Sequence, residues 1–144
     1  MKHFFYSLFL ILIVSCSKND TSDYATELSE SGIVGKWRLV EIHSSDGTSQ
    51  IYKTDVSSEN YVVIFNANGD VQSADFPCVG KYNFDSTISA NNNLVVTFDK
   101  CESTQVLGYS INGIANARIS DYNYLILNIA NCDESCARVY RRLK

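Results

Sequence analysis

Short apolar runs separated by turn residues make up most of this chain. Residues 61–65 form an unbroken run of β-branched and aromatic side chains that ends at the turn-forming cluster 66–70. No window from Ile33 onward shows the period of an amphipathic helix. The candidate strands are 34–43, 50–53, 61–65, 71–73, 79–84, 94–98, 103–111, 115–119, 122–130 and 136–143. This pattern predicts an all-β fold of about eight antiparallel strands, either a sandwich or a barrel.

The N-terminal segment breaks this pattern. Lys2 precedes an apolar run at 4–14, which is too short for a bilayer span of about 20 residues. It matches the central region of a secretory signal peptide instead. The polar residues that follow are mainly Ser, Asp, Thr and Glu, a composition typical of a flexible spacer. We therefore divide the chain into a signal peptide at 1–15, a flexible tether at 16–31 and a folded domain at 32–144.

The end of the apolar run resembles the lipobox of bacterial lipoproteins. That motif is an aliphatic residue, a small or aliphatic residue, Ser, Ala or Gly, and then Cys, and this chain has Ile13-Val14-Ser15-Cys16. The resemblance implies that Cys16 is acylated on its sulfur and becomes the mature N-terminus, which makes membrane lipid a partner. Ser17 after the cysteine implies the outer membrane, at the periplasmic face or the cell surface. The alternatives are an ordinary secretory signal that contains a cysteine and a buried core helix.

Length and charge restrict the partners of the mature chain. Removal of residues 1–15 leaves enough chain for one domain with its own core. That segment holds a single charged residue, Lys2, so the net charge of −4 becomes −5. An acidic chain argues against a nucleic-acid partner, which would require a basic face. We expect a monomer. The basic residues near the C-terminus alternate with apolar ones, as on the outer face of a strand: Arg138, Arg141, Arg142 and Lys144.

The cysteine count predicts disulfides. Once Cys16 is assigned to lipid, four cysteines remain: Cys78, Cys101, Cys132 and Cys136. An even number in an oxidising compartment predicts two disulfides, with three possible pairings. We favour Cys78–Cys101 and Cys132–Cys136, because each would join neighbouring strands or close one turn. A metal site at the second pair, with Asp133 and Glu134 between, is the alternative, but a structural zinc site usually has four nitrogen or sulfur ligands.

Three further motifs resemble one family in chain order. Gly35-Lys36-Trp37 matches the Gly-x-Trp motif of lipocalins, and residues 34–40 resemble the opening of the lipocalin-like domain in small lipoproteins of Gram-negative bacteria. A Phe-Asn-x-Asn-Gly segment follows at 65–69, and the chain closes on a Tyr-x-Arg strand at 140–142. The resemblance covers roughly residues 33–143. It implies an up-and-down barrel, whose closure removes exposed sheet edges.

The resemblance also assigns a structural motif. In lipocalins the tryptophan plugs one end of the barrel and an arginine from the last strand packs over it, which implies a motif of Gly35, Trp37 and Arg142. Alternation places Arg138 and Arg142 on one face of the last strand and Arg141 on the other, so the sequence leaves the choice of arginine open. The domain is short for a lipocalin, and the second and third lipocalin motifs are not recognisable.

The sequence offers few residues from which a catalytic site could be built. His43 is the only histidine after the signal peptide, and it precedes Ser44, Ser45 and Asp46. Sequence neighbours rarely adopt the directed hydrogen bonds of a nucleophilic triad. No Gly-rich phosphate-binding loop, His-rich ligand set or Cys-x-x-Cys redox pair is present in the sequence. We therefore predict that the protein is not an enzyme and has no cofactor or metal.

Two functions are compatible with this sequence. The first is a membrane-anchored lipocalin-like protein that binds a small apolar or amphipathic ligand at the cell envelope, with aromatic side chains lining a cavity. The second is a non-catalytic structural or interaction lipoprotein whose barrel is filled and whose surface contacts envelope proteins or glycans. We expect the aromatic side chains to fill the interior. The sequence does not identify ligand-binding residues.

Overall fold

The described residues form nine β-strands. The structure, a computed structural model, describes residues 23–26, 32–74, 76, 78–87, 93–99, 113–120, 123–129 and 136–144. The strands are β1 Gly35–Ser45, β2 Ile51–Asp55, β3 Val62–Phe65, β4 Asp70–Ser73, β5 Gly80–Phe84, β6 Leu94–Thr97, β7 Gly113–Ser120, β8 Tyr124–Ile129 and β9 Ala137–Arg142. A 3-10 turn, Ser57–Glu59, lies between β2 and β3. The all-β prediction is confirmed, and the candidate strand at 103–111 lies outside the described residues.

Eight of these strands close into an antiparallel barrel. β1 pairs with β3, each strand from β3 to β8 pairs with the next along the chain, and β9 pairs with β1 to complete the ring. The predicted up-and-down barrel of about eight strands is therefore confirmed. The remaining strand, β2, lies outside this ring and forms a hairpin with the second half of β1. We call the end where β1 begins and β9 ends the lower end, and the opposite end the upper end.

One continuous apolar core fills the described interior. Alternation along the strands turns every second side chain inward. The largest side chains with less than 2% of their surface exposed are Trp37, Tyr140, Phe65, Leu39, Leu94, Leu125, Leu127, Val63, Val71 and Val96. Burial of one such aliphatic or aromatic side chain contributes about 1.5–3 kcal/mol, so this core dominates the stability of the fold.

Aromatic side chains also contribute to this core. The rings of Phe65 and Tyr82 meet edge to face at 5.0 Å, and those of Phe76 and Phe98 do the same at the same distance. Val56, from the segment after β2, joins Phe76 in this core. Among the described residues, one cluster therefore includes both Trp37 near the lower end and Phe76 between β4 and β5.

A second, smaller apolar cluster lies on the outer face of the barrel. A bulge between the pairs Leu39↔Tyr140 and Glu41↔Val139 leaves Val40 outside the β1–β9 register. Val40 lies on this face because the preceding residue, Leu39, points into the core. There it packs with Val139 and with Tyr24 from the N-terminal segment. This cluster matters because it holds residues that precede the folded domain predicted from the sequence.

The N-terminal segment forms a short strap on the barrel, which we define as residues 23–26. Tyr24 forms a β-bridge with Leu143 and is only 8% exposed. The amide of Ala25 donates to the carbonyl of Arg142 at 3.0 Å, and the amide of Lys144 donates to the carbonyl of Asp23 at 3.0 Å. One aromatic ring, an isolated β-bridge and two backbone hydrogen bonds thus hold these four residues, which belong to the predicted tether, on the barrel. Residues 1–22 and 27–31 lie outside the described residues.

Candidate functional site

Trp37 and Arg142 close the lower end of the barrel. Trp37 is fully buried, and its Nε1–H donates to the carbonyl of Ile33 at 2.7 Å. The guanidinium of Arg142 lies 4.1 Å from the centre of the indole ring, a cation–π geometry. The β1–β9 register explains the choice of arginine, because Trp37 lies directly opposite Arg142 whereas Arg138 lies opposite Ile42.

Backbone carbonyls hold the buried guanidinium in place. Arg142 Nη1 donates to the carbonyl of Val34 at 2.6 Å, and Nη2 donates to the carbonyl of Gly32. Burial lowers the pKa of Arg142, although an arginine remains charged in proteins. Gly35 has a φ of +139°, and a Cβ added there would lie 2.6 Å from Arg142 Nη1. The Gly-x-Trp motif therefore makes room for the arginine that covers the tryptophan.

A second cation–π group holds the strap on the outer wall. Arg38 and Arg141 lie directly opposite each other in the β1–β9 ladder, where two like charges repel. The Tyr24 ring lies over both, 4.0 Å from the Arg141 guanidinium and 5.5 Å from that of Arg38. Asp23 adds a 3.9 Å ion pair with Arg38. Sequence reasoning missed this group, and the available signal was a single tyrosine within a polar spacer.

The β1–β2 hairpin projects from the upper end. All five residues of β2 are exposed, including Ile51 and Tyr52 at 48% and 49%. The Asp46 carboxylate orders the turn: it accepts from the Thr48 hydroxyl at 2.6 Å, the Thr48 amide at 3.1 Å and the Tyr52 hydroxyl at 3.0 Å. These bonds, led by the Thr48 hydroxyl, lower the pKa of Asp46. The hairpin therefore presents two large exposed side chains at the start of β2, next to an ordered turn.

The histidine next to this hairpin does not form a triad. His43 Nε2 lies 2.8 Å from Glu41 Oε2 on the outer face. The Asp46 carboxylate is engaged by its own turn, and the Ser45 hydroxyl donates to the carbonyl of Thr48 at 3.0 Å. The structure thus pairs His43 with Glu41, and these bonds direct Asp46 and Ser45 to the turn.

A cleft lies on the outer wall between β4, β5 and the end of β6. Its volume is ≈ 470 Å³, and its lining residues are Asp70, Cys78, Val79, Lys81 and Asp99. Lys81 forms an ion pair with Asp70 across it. Across the described ranges, no group of three or more His, Cys, Asp and Glu side chains is arranged to hold a metal ion.

The predicted lipidation and disulfide residues are only partly described. Cys78 precedes β5 and Cys136 precedes β9, both at the upper end. Cys16, Cys101 and Cys132 lie outside the described residues. Acylation and cysteine pairing therefore stay predictions.

Comparisons with known proteins do not assign this chain to a family. No family model, no curated protein and no solved structure matches the chain. In the part of the chain that the structure describes, no helix is long and apolar enough to cross a membrane. The function must therefore be inferred from the barrel, its plug, its strap and its projecting hairpin.

Proposed function

We propose that this chain is a lipid-anchored envelope lipoprotein whose filled barrel is a non-catalytic interaction module for envelope proteins or glycans. The packed interior is the observation that carries the proposal. Ten large side chains of the described core are less than 2% exposed, whereas the walls of a lipocalin-like carrier would line a ligand cavity. In this proposal, partners are contacted by the outer surface of the barrel.

The anchoring part of the proposal is supported by the lipobox-like residues that end at Cys16. Acylation would make membrane lipid a partner, and Ser17 favours the outer membrane as the location. Intact-mass measurement of the protein purified from membranes should show the added acyl chains at Cys16. Cys16→Ser should abolish this mass increase and release the protein from the membrane fraction. A wild-type chain without acyl mass would contradict anchoring.

Native mass spectrometry separates a filled module from a carrier. We expect the secreted Cys16→Ser chain to show the protein mass alone, both as purified and after incubation with a panel of fatty acids and phospholipids. A lipophile bound at one per chain would contradict the filled barrel and favour the small-molecule carrier that the lipocalin resemblance implies.

The exposed hairpin is the surface that we assign to partner contact. Ile51 and Tyr52 are large apolar side chains at the start of β2, each about half exposed next to an ordered turn, and apolar groups of this kind provide the anchors of protein interfaces. Crosslinking in cells should recover fewer partners from Ile51→Ser/Tyr52→Ser than from the wild type. Val79→Ser is a matched control, because Val79 is 50% exposed on a different wall. Equal recovery from both variants would exclude the hairpin.

The pairing Cys78–Cys101 is supported by the register of β5 and β6. Lys81 lies opposite Thr97 and Phe84 opposite Leu94. In the sequence Cys78 lies two residues before β5 and Cys101 lies four residues after β6, so this pairing would join the ends of two neighbouring strands. Peptide mapping without reduction should recover linked peptides for 78–101 and 132–136, and a peptide that links Cys78 to Cys132 would contradict this pairing.

A further inference from the structure

The direction of the strap shows from which side the N-terminal segment reaches the barrel. Asp23 bonds at the level of Lys144, Tyr24 bridges Leu143, and Ala25 bonds to Arg142. The strap therefore runs antiparallel to β9, which ends at the lower end of the barrel. Asp23 is therefore the strap residue nearest the lower end of the barrel.

Docking of the strap also shortens the connection to Cys16. Seven Cα–Cα steps separate Cys16 from Asp23, and an extended chain covers at most about 25 Å in that number of steps. Without docking, the connection would run to Gly32, where sixteen steps would allow about 55 Å. Docking thus halves the largest distance between the barrel and an anchor at Cys16.

We propose that the docked strap holds the lower end of the barrel against the lipid surface and points the upper end away from it. The inference rests on the proposed acylation of Cys16 and adds an orientation to it. The partner of the lower end is the phospholipid surface that carries the acyl chains. The β1–β2 hairpin extends from the opposite end of the barrel and is thereby presented to partners outside the bilayer.

Tyr24 is the positioning residue in this arrangement. Its ring is buried against Val40 and Val139 and lies between the guanidinium groups of Arg38 and Arg141. A serine at this position would remove both the apolar contact and the cation–π contacts. The strap would then retain its backbone bonds and the weak Asp23–Arg38 ion pair.

Energy transfer from Trp37 measures this orientation directly. Trp37 is the only tryptophan of the chain and lies near the lower end. The acylated full-length protein is reconstituted on phosphatidylethanolamine–phosphatidylglycerol vesicles that contain a dansyl headgroup lipid. Two insertions of about ten Gly and Ser residues are compared, one between Asn19 and Asp20 and one between Leu28 and Ser29. Both leave every described residue unchanged.

The two insertions have different expected outcomes if the strap is docked. The insertion before the strap lengthens the connection to the lipid, so transfer should fall at least twofold. The insertion after the strap leaves that connection unchanged, so transfer should equal that of the wild type. A similar fall for both insertions, or a fall for neither, would overturn the inference.

Substitution of Tyr24 provides a second test in the same energy-transfer experiment. In a Tyr24→Ser background, the insertion after the strap should lower transfer as well, whereas Tyr52→Ser on the distal hairpin should leave the wild-type result intact. Measurement of the intact mass distinguishes failure of the orientation from failure of the anchoring. Acylated protein that is insensitive to insertion position overturns the orientation alone, and absence of acyl chains overturns the anchoring and the orientation together.

Discussion

The two halves of β1 share one strand but have opposite surroundings. The lower half holds Gly35 and Trp37 against Arg142, and its outer face is covered by Tyr24. The upper half pairs with β2, whose five residues are all exposed. Aromatic rings and apolar contacts hold the lower half, whereas backbone pairing and hydrogen bonds of the turn hold the upper half. The lower half of β1 thus contributes mainly to stability, whereas the upper half carries an exposed surface.

Removal of Trp37 should have the largest effect on stability. Trp37→Ala leaves a large cavity and an unsupported Arg142, and aromatic-to-alanine changes in cores cost about 3–5 kcal/mol. The free energy of unfolding in urea, followed by circular dichroism, measures the effect. Tyr52→Ala in the hairpin is the control and should change stability by less than about 0.5 kcal/mol. Equal effects of the two variants would contradict the contrast between the halves.

Loss of the arginine that covers the tryptophan should have an intermediate effect. Arg142→Met keeps much of the side-chain volume but removes the cation–π contact and the bonds to Val34 and Gly32. We expect a loss of about 2 kcal/mol in the free energy of unfolding. Arg118→Met, at an exposed position on β7, should have a negligible effect. A neutral Arg142→Met would show that the guanidinium does not stabilise the plug.

The strap should contribute less than the plug. Tyr24→Ser removes a nearly buried ring, and we expect a loss of about 1–2 kcal/mol in the free energy of unfolding. Tyr24→Leu keeps the apolar contact with Val40 and Val139 and should lose about half as much. Hydrogen exchange at the Ala25 amide, which bonds to the Arg142 carbonyl, should accelerate in the order wild type, Tyr24→Leu, Tyr24→Ser. Unchanged exchange in Tyr24→Ser would contradict docking by the ring.

Acidification should produce the smallest and most local effect, confined to the hairpin. Bonds from Thr48 and Tyr52 lower the pKa of Asp46 below its usual 3.8. The ionised carboxylate therefore stabilises the turn above that value, and the contribution is lost as the pH falls through the lowered pKa. An NMR titration should show the Thr48 amide moving with a midpoint below 3.8. Asp46→Asn should remove this transition, and a midpoint at or above 3.8 would contradict the hydrogen-bonded turn.

Part of the candidate site could be predicted from the sequence. Gly35 and Trp37 form a local motif, and the conformation and space that the motif requires are both local to β1. The identity of the covering arginine could not be predicted, because Arg138 and Arg142 share a face and only the β1–β9 register decides between them. The role of Tyr24 was also hidden, since its partners Arg38 and Arg141 lie far from each other in sequence.

The sequence by itself determined the strand positions, the all-β class and the lipobox-like signal, because these depend on local alternation and on short motifs. Only the tertiary structure decided that β9 closes on β1, that β2 projects as an exposed hairpin and that residues 23–26 dock. Those outcomes depend on pairing between residues distant in sequence, where shape and register select among partners that local patterns leave equivalent. The contacts at the lower end of this barrel therefore depend on the pairing of β1 with β9, whereas the strands themselves follow from local sequence.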